Sequence, residues 1–289
     1  MNERELRRRA RSIRLVAADM DGTLLNDAKQ LTDVTREAIR RLAASGRTFS
    51  FATGRLCPTL ARYAGQLGVR CYMIGANGAE IVSTEGDVLH RACIPYEEFS
   101  VLAARCGANG IDYYCETAEG YYLRAGSLLS HIFDGYDPSM NAPKMPFSCH
   151  LLDHRPLEEI RPLQLLKVLV ANDRPDMRAL LAGFTADTPS IAVTQADPRM
   201  LEMIPAAASK GGALRQLAER LGIPQQQVCA FGDFDNDVGM VEWAGLGVAM
   251  GNARDCVKAV ADWVTLSNED NGVADFIDRY ILSDTDEAL

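Results

Sequence analysis

The chain has 289 residues, 47% apolar and 24% charged, the composition of a globular protein long enough to bury a sizeable core. At roughly 150 residues per domain, that length implies two domains or one large one. Thirty basic against thirty-nine acidic side chains leave a net charge of −9, which argues against a general binder of nucleic acid or anionic membrane, because both call for a basic surface.

Eight cysteines lie at least nine residues apart, so there is no C-x-x-C pair to form a zinc ribbon or a thioredoxin-like motif. Scattered thiols of this kind fit reduced, packed side chains in a cytoplasmic protein. The N-terminal stretch MNERELRRRARSIRLVAAD is rich in arginine but carries Glu3 and Glu5 and no apolar run of signal-peptide length. It is expected to be a solvated leader, with a transit peptide the lesser alternative. No later run is long enough for a membrane span.

Ile13 to Ala18 reads as a buried strand ending at Asp19. Thr32 then caps a helix whose apolar positions Val34, Ala38 and Leu42 recur at helical spacing, with Gly46 as its stop. A second strand, RTFSFAT, ends at Thr53-Gly54-Arg55. A helix with Pro58 in its first turn follows, running to Gly68, and RCYMIGANG makes a third strand. Strands alternating with helices at this spacing predict a parallel sheet covered on both faces.

Near residues 80–95 the rhythm changes to a hairpin, AEIVS and DVLHRACI about Thr84-Glu85-Gly86. The middle of the chain is mixed. A helix is expected around 96–106, strands at DYYCET and GYYLRA, and a Pro- and Met-containing loop around 137–147. The strand LQLLKVLVA, a helix after Pro175 and the strands SIAVTQ and RMLEMI complete it. From about Ser209 the strand–helix alternation resumes and continues to GVADFIDRYI. The expected architecture is therefore an α/β, Rossmann-like parallel-sheet core over 1–91 and 206–289, with an inserted α+β cap domain over 92–205.

The acidic residues fall where such sheets bind ligands. Asp19 and Asp21 sit at the carboxyl end of the first strand, and Asp233 with Asp235, Asn236 and Asp237 at the end of another. Singly, each aspartate reads as a turn or cap residue. Converging carboxylates, however, need solvent or a cation among them, and all-oxygen donors without His or Cys select a hard ion, Mg²⁺ by default beside a phosphate. Thr53-Gly54 offers a hydroxyl and backbone N–H groups to an anion, though a simple strand-to-helix turn would look the same. Lys210 opens a predicted helix, where a cation opposes the helix dipole; neutralising carboxylate and phosphate oxygens would explain it.

These pieces, in this order, resemble the haloacid dehalogenase superfamily of phosphotransferases. Asp19-Met20-Asp21-Gly22-Thr23-Leu24 is similar to its first motif, Thr53-Gly54-Arg55 to its second, Lys210 to its third, and Gly232-Asp233 through Asn236-Asp237 to its fourth. Asn77-Gly78-Ala79, the Lys-Gly-x-Ala-Leu run at 210–214, GVAMGNA at 247–253 and the Ser-Asn-Glu segment at 267–269 narrow the resemblance to the Cof-like sugar-phosphatase branch. It covers both ends of the chain; the middle matches only in size and strand–helix character. Asn271 departs from the aspartate common at that position.

The resemblance implies phosphoryl transfer through an aspartyl-phosphate. Asp19 would be the nucleophile and Asp21 the general acid and base. Mg²⁺ would be held by Asp19, the Asp21 carbonyl and Asp233, with Asn236 and Asp237 orienting those ligands. Lys210, Thr53, Gly54, Arg55, Asn77 and Asn236 would bind the substrate phosphate. Members that preserve their phosphoenzyme, such as ion-pumping ATPases, carry Thr in place of Asp21. Cap loops would close over the site and read the leaving group; Arg124, His131, Lys144, His150, His154 and Lys167 are polar cap candidates, each expected to be solvated at the surface. The leading expectation is a Mg²⁺-dependent phosphatase of small phosphorylated metabolites, above all sugar phosphates. A phosphomutase is the alternative, and a silent phospholigand-binding regulator the third reading.

Overall fold

A computed structural model describes residues 1–123, 148–151, 161, 163–171, 174–197 and 200–283. Two sheets organise the chain. The first has eight strands in the order β14-β13-β12-β1-β2-β3-β4-β5. Its centre is β1 (Leu15–Ala18), flanked in parallel by β2 (Thr48–Ala52) and β12 (Val228–Gly232). Strands β3 (Tyr72–Gly75), β13 (Leu246–Ala249) and β14 (Trp263–Val264) extend the parallel set. The hairpin β4 (Glu80–Ser83) and β5 (Val88–Arg91) adds an antiparallel edge. All residues of β1 and β12 are buried, as expected for central strands covered on both faces.

Helices form where their caps and apolar spacing direct. Thr32 accepts a hydrogen bond from Thr35 N at the start of α2 (Asp33–Ala44), and Gly46 follows its end at φ +81°. Leu15↔Val228 and Ala18↔Phe231 are in register. Asp19 and Asp233 therefore emerge at the same sheet edge, between strands whose outgoing connections run to opposite sides, a switch point where α/β sheets bind ligands.

One expectation fails at the N-terminus. The arginine-rich stretch is not a solvated leader but helix α1 (Glu3–Arg11), with Leu6 and Ala10 fully buried in the main core. Leu6 and Ala10 are four residues apart and share one helix face. Arginine fills the other faces: Arg9 pairs with Asp262, Nη1 to Oδ1 at 3.0 Å, and Arg7 lies over the Tyr280 ring.

The second sheet has the order β10-β11-β9-β6-β7-β8. It comprises β6 (Tyr113–Thr117), β7 (Gly120–Leu123), β8 (Ser148–Leu151), β9 (Leu165–Ala171), β10 (Ile191–Asp197) and β11 (Met200–Pro205). Only β8 was not expected from the sequence. Helices α4 (Tyr96–Ala108) and α5 (Met177–Thr185) cover one face, packing Phe99, Leu102 and Leu181 against Tyr113, Val168 and Met203. Strand alternation sends Glu116, Lys167, Glu202 and Ile204 to the opposite face, where Ile204 packs with Leu56, Ala76 and Ala79 of the first sheet's loops. The fold is α/β, with a parallel-dominated sheet and a second, mainly antiparallel one. Among the described residues no helix is long and apolar enough to cross a membrane.

Candidate active site

Four segments meet at the carboxyl ends of β1, β2 and β12. Ser209 caps α6 (Lys210–Arg220) by accepting from Gly212 N, which sets Lys210 at the first helical position. Its buried Nζ lies 2.7 Å from Asp19 Oδ1 and 2.7 Å from Asp237 Oδ1. Burial opposes the ammonium, but the two carboxylates outweigh it and hold Lys210 charged. The local propensity conflict at this helix start is thus resolved by two anions.

One oxygen from each of Asp19, Asp233 and Asp237 lies within 4.8 Å of the others. Burial pushes the Asp19 carboxyl well above the usual range; Lys210 pulls it down, and the Asp237 and Asp233 charges push it up again. Asp233 is raised as well, chiefly by burial, against the hydrogen bond from Thr23. Crowded hard oxygen donors facing a single ammonium fit a divalent cation, which would relieve that repulsion. Asp237 is the least free of the three. Its Oδ1 accepts from Lys210, and its Oδ2 accepts from Asp233 N at 2.9 Å and Phe234 N at 3.0 Å. This is the geometry of a residue that shapes the loop bearing Asp233. Gly232 permits it, because a Cβ there would sit 2.4 Å from the Asp237 Cβ.

Asp21 is not one of the three clustered carboxylates. Arg55 grips it with two hydrogen bonds of 2.8 Å, and Lys29 Nζ lies 2.9 Å from Oδ1. Burial alone would raise its pKa, but the two cations prevail and hold it below the usual range. Arg55 thus meets Asp21 directly. Thr53 is buried, its Oγ1 accepting from Arg55 N at 3.2 Å, and Asn77 N donates to Thr53 O at 3.0 Å. Asn236 Nδ2 donates to Asn77 Oδ1 at 3.0 Å. Asp19, Asp21, Thr53, Arg55, Asn77, Lys210, Asp233, Asn236 and Asp237 therefore gather at one sheet edge, whereas the exposed Asp235 side chain pairs with Arg254 at 2.8 Å.

The family model of haloacid dehalogenase-like hydrolases matches residues 16–277. The chain belongs to that family. This haloacid dehalogenase-like hydrolase is 29% identical over 270 residues to the 5-amino-6-(5-phospho-D-ribitylamino)uracil phosphatase YcsE of Bacillus subtilis, covering 93% of this chain and 96% of the relative. It is 31% identical to the HMP-PP phosphatase of Klebsiella pneumoniae, covering 85% of this chain and 87% of that protein. The crystal structure of a haloacid dehalogenase-like hydrolase from Bacteroides thetaiotaomicron superposes with a TM-score of 0.80 at 28% identity, covering 92% of this chain and 99% of that one. The chain is a phosphatase of phosphorylated small molecules, in the Cof-like branch.

Several contributors were not singled out from sequence. Thr23 Oγ1 donates to Asp233 Oδ1 at 2.7 Å, and Asn252 Nδ2 donates to Gly22 O at 2.8 Å; both lie inside motifs that were read for other residues. Lys167 is a correction. It is buried between Glu116 and Glu202, each at 3.1 Å, rather than solvated. A lysine inside the apolar run LLKVLVA was the available signal. Arg124, His131, Lys144 and His154 lie outside the described residues, as does the side chain of His150. Asn271, the departure from the branch pattern, adopts φ +56° and accepts from Thr32 Oγ1 at 2.5 Å. Asparagine tolerates that left-handed conformation.

Proposed function

We propose that the enzyme is a Mg²⁺-dependent phosphatase of small metabolites, chiefly sugar phosphates, working through an aspartyl-phosphate on Asp19. The observation that carries this reading is the placement of Lys210 between Asp19 and Asp237, with Asp233 alongside. Asp19, Asp233 and the Asp21 carbonyl would hold the cation, which supplies charge neutralisation between carboxylate and phosphate.

Lys210 orients the Asp19 carboxylate through Oδ1, leaving Oδ2 to attack phosphorus as the bond to the leaving oxygen breaks. Thr53, the Gly54 backbone and Lys210 bind the phosphoryl oxygens, where charge builds up. Asp21 delivers a proton to the leaving oxygen. In the second step it takes one from the water that attacks phosphorus, and the Asp19–phosphorus bond breaks to release inorganic phosphate. The hold of Arg55 and Lys29 favours the ionised Asp21 that this second step requires.

In this reading residues 92–205 form a cap over the core and exclude water during transfer. The free thiols of the described cysteines support a reducing, cytoplasmic setting. The test is phosphate release from a panel of phosphate esters, with Mg²⁺ and with a chelator. Free phosphate from sugar phosphates that needs the cation is the expected result. Isomerised ester would point to a mutase instead, and cation-independent release would overturn the metal assignment.

A further inference from the structure

The buried cluster on the cap sheet's inner face takes no part in the steps above, yet it reaches the catalytic loops. Lys167 is 3% exposed. Its Nζ meets Gly54 O at 2.8 Å, Glu202 Oε1 at 3.1 Å and Glu116 Oε2 at 3.1 Å. Of the three N–H donors of this ammonium, two are spent on Gly54 O and Glu202 Oε1, while Glu116 Oε2 is held by charge at 3.1 Å without a hydrogen bond. Glu202 uses its other oxygen, Oε2, to accept from Asn77 Nδ2, and Asn77 Oδ1 accepts from Asn236 Nδ2.

What this network holds is specific. The peptide joining Gly54 to Arg55 is tied at both ends, its carbonyl by Lys167 and its N–H by Thr53 Oγ1. Arg55, whose guanidinium grips Asp21, leaves the backbone at that peptide. The next loop is clipped to the same segment: Ala76 N donates to Arg55 O at 2.8 Å and Asn77 N to Thr53 O at 3.0 Å. Ala76 and Asn77 both have positive φ, +47° and +56°, a backbone arrangement that persists only when its surroundings over-determine it.

Buried ion clusters are seldom better for stability than apolar packing of similar volume, so a role in geometry accounts better for this one. We propose that Lys167 and Glu202 are positioning residues, a buried latch through which the cap sheet sets the Gly54–Arg55 peptide, and hence the Arg55–Asp21 pair, together with Asn77 and Asn236. The inference rests on the phosphatase reading for its catalytic consequence, but not for the latch itself.

Lys167→Met alone would leave two buried carboxylates facing each other. The experiment therefore uses the double variant Lys167→Met with Glu116→Gln, and separately Glu202→Gln, each checked for folding by its melting curve. The first readout is amide hydrogen exchange without substrate. Exchange at 53–56 and 75–79 is expected to quicken at least tenfold, with 228–232 unchanged. The second is turnover of p-nitrophenyl phosphate and of glucose 6-phosphate with Mg²⁺. kcat is expected to fall at least tenfold and by the same factor for both esters, with KM moving less than threefold.

Unchanged exchange in the two loops would overturn the latch. A loss confined to the sugar ester would also overturn it, because Lys167 would then be reading the leaving group. If the wild-type enzyme released no phosphate from any ester, the phosphatase reading would fail, while the exchange measurement would still decide the latch.

Discussion

Arg55 meets Asp21 edge to edge, Nε to Oδ2 and Nη2 to Oδ1, each at 2.8 Å. A planar guanidinium matched to a carboxylate in this way fixes orientation as well as charge. Arg55→Ala should therefore lower kcat by about 10- to 100-fold, part of the ~10²–10⁴ that general acid–base catalysis supplies. Arg55→Lys should recover little, because an ammonium cannot reproduce the paired contact. Steady-state hydrolysis of p-nitrophenyl phosphate measures both, and a kcat unchanged in Arg55→Ala would refute the positioning role.

Asp19→Asn should abolish turnover, by at least ~10³-fold, without costing stability. Asp19 is one of three crowded carboxylates, and its ionised form is disfavoured by burial. Asparagine keeps the shape and removes one negative charge, while Lys210 retains Asp237. In a chelator the variant should melt at or above the wild-type temperature. Added Mg²⁺ should raise the wild-type melting temperature and leave that of the variant nearly unchanged.

Gly22→Ala tests how closely the first loop approaches the Asp233 side chain. Gly22 has φ +89°, and a Cβ there would lie 2.4 Å from Asp233 Oδ2. The left-handed backbone alone costs an alanine about 1–2 kcal/mol, and the contact displaces a residue expected to bind the cation. The Mg²⁺ concentration for half-maximal activity should rise at least tenfold. An unchanged requirement would remove Asp233 from the cation site.

Glu116 supplies a pH dependence of stability. Burial pushes its carboxyl up to about 7, against the pull of Lys167 and with the push of the Glu202 charge. The folded chain therefore holds this proton at pH values where the unfolded chain has released it. The stabilising contribution is full below the unfolded pKa and is lost as pH rises through about 7. Glu116→Gln should thus flatten the pH profile, losing least relative to wild type on the alkaline side. Thermal melts at about pH 5 and about pH 8 measure the difference; a gap that widens with pH would contradict the sign.

Leu6→Ala should destabilise the protein by about 2–5 kcal/mol, as expected for truncating a fully buried leucine. Arg8→Ala, which removes an exposed pair with Glu5 on the same helix, should cost no more than about 0.5 kcal/mol. Urea unfolding midpoints compare the two, and equal midpoints would mean that α1 adds nothing to the core.

Much of this enzyme is written locally in its chain. The apolar run ending at Asp19, the Thr32 cap and the strand–helix alternation at both ends specify the parallel sheet, because period and capping are short-range properties. The sheet in turn places Asp19 and Asp233 at one edge through the β1–β12 register, so the motif residues could be grouped from sequence.

What lay beyond that reading depends on contacts between distant segments. Leu6 and Ala10 identify a packing face only once a core exists to receive it, and the surrounding arginines mask their spacing. Asp21 and Arg55 are 34 residues apart, and Gly54 and Lys167 are 113 apart. No periodicity encodes such pairs. Sequence by itself determined which groups could bind a phosphate ester and at which strand ends they stand. Tertiary structure alone decided their partners: Arg55 bound to Asp21, Asp237 shared between Lys210 and its own loop, and Lys167 buried as a tie to Gly54. The physical reason is that burial and charge pairing belong to the assembled interior, where an ammonium or carboxylate must be matched by whatever the fold brings beside it.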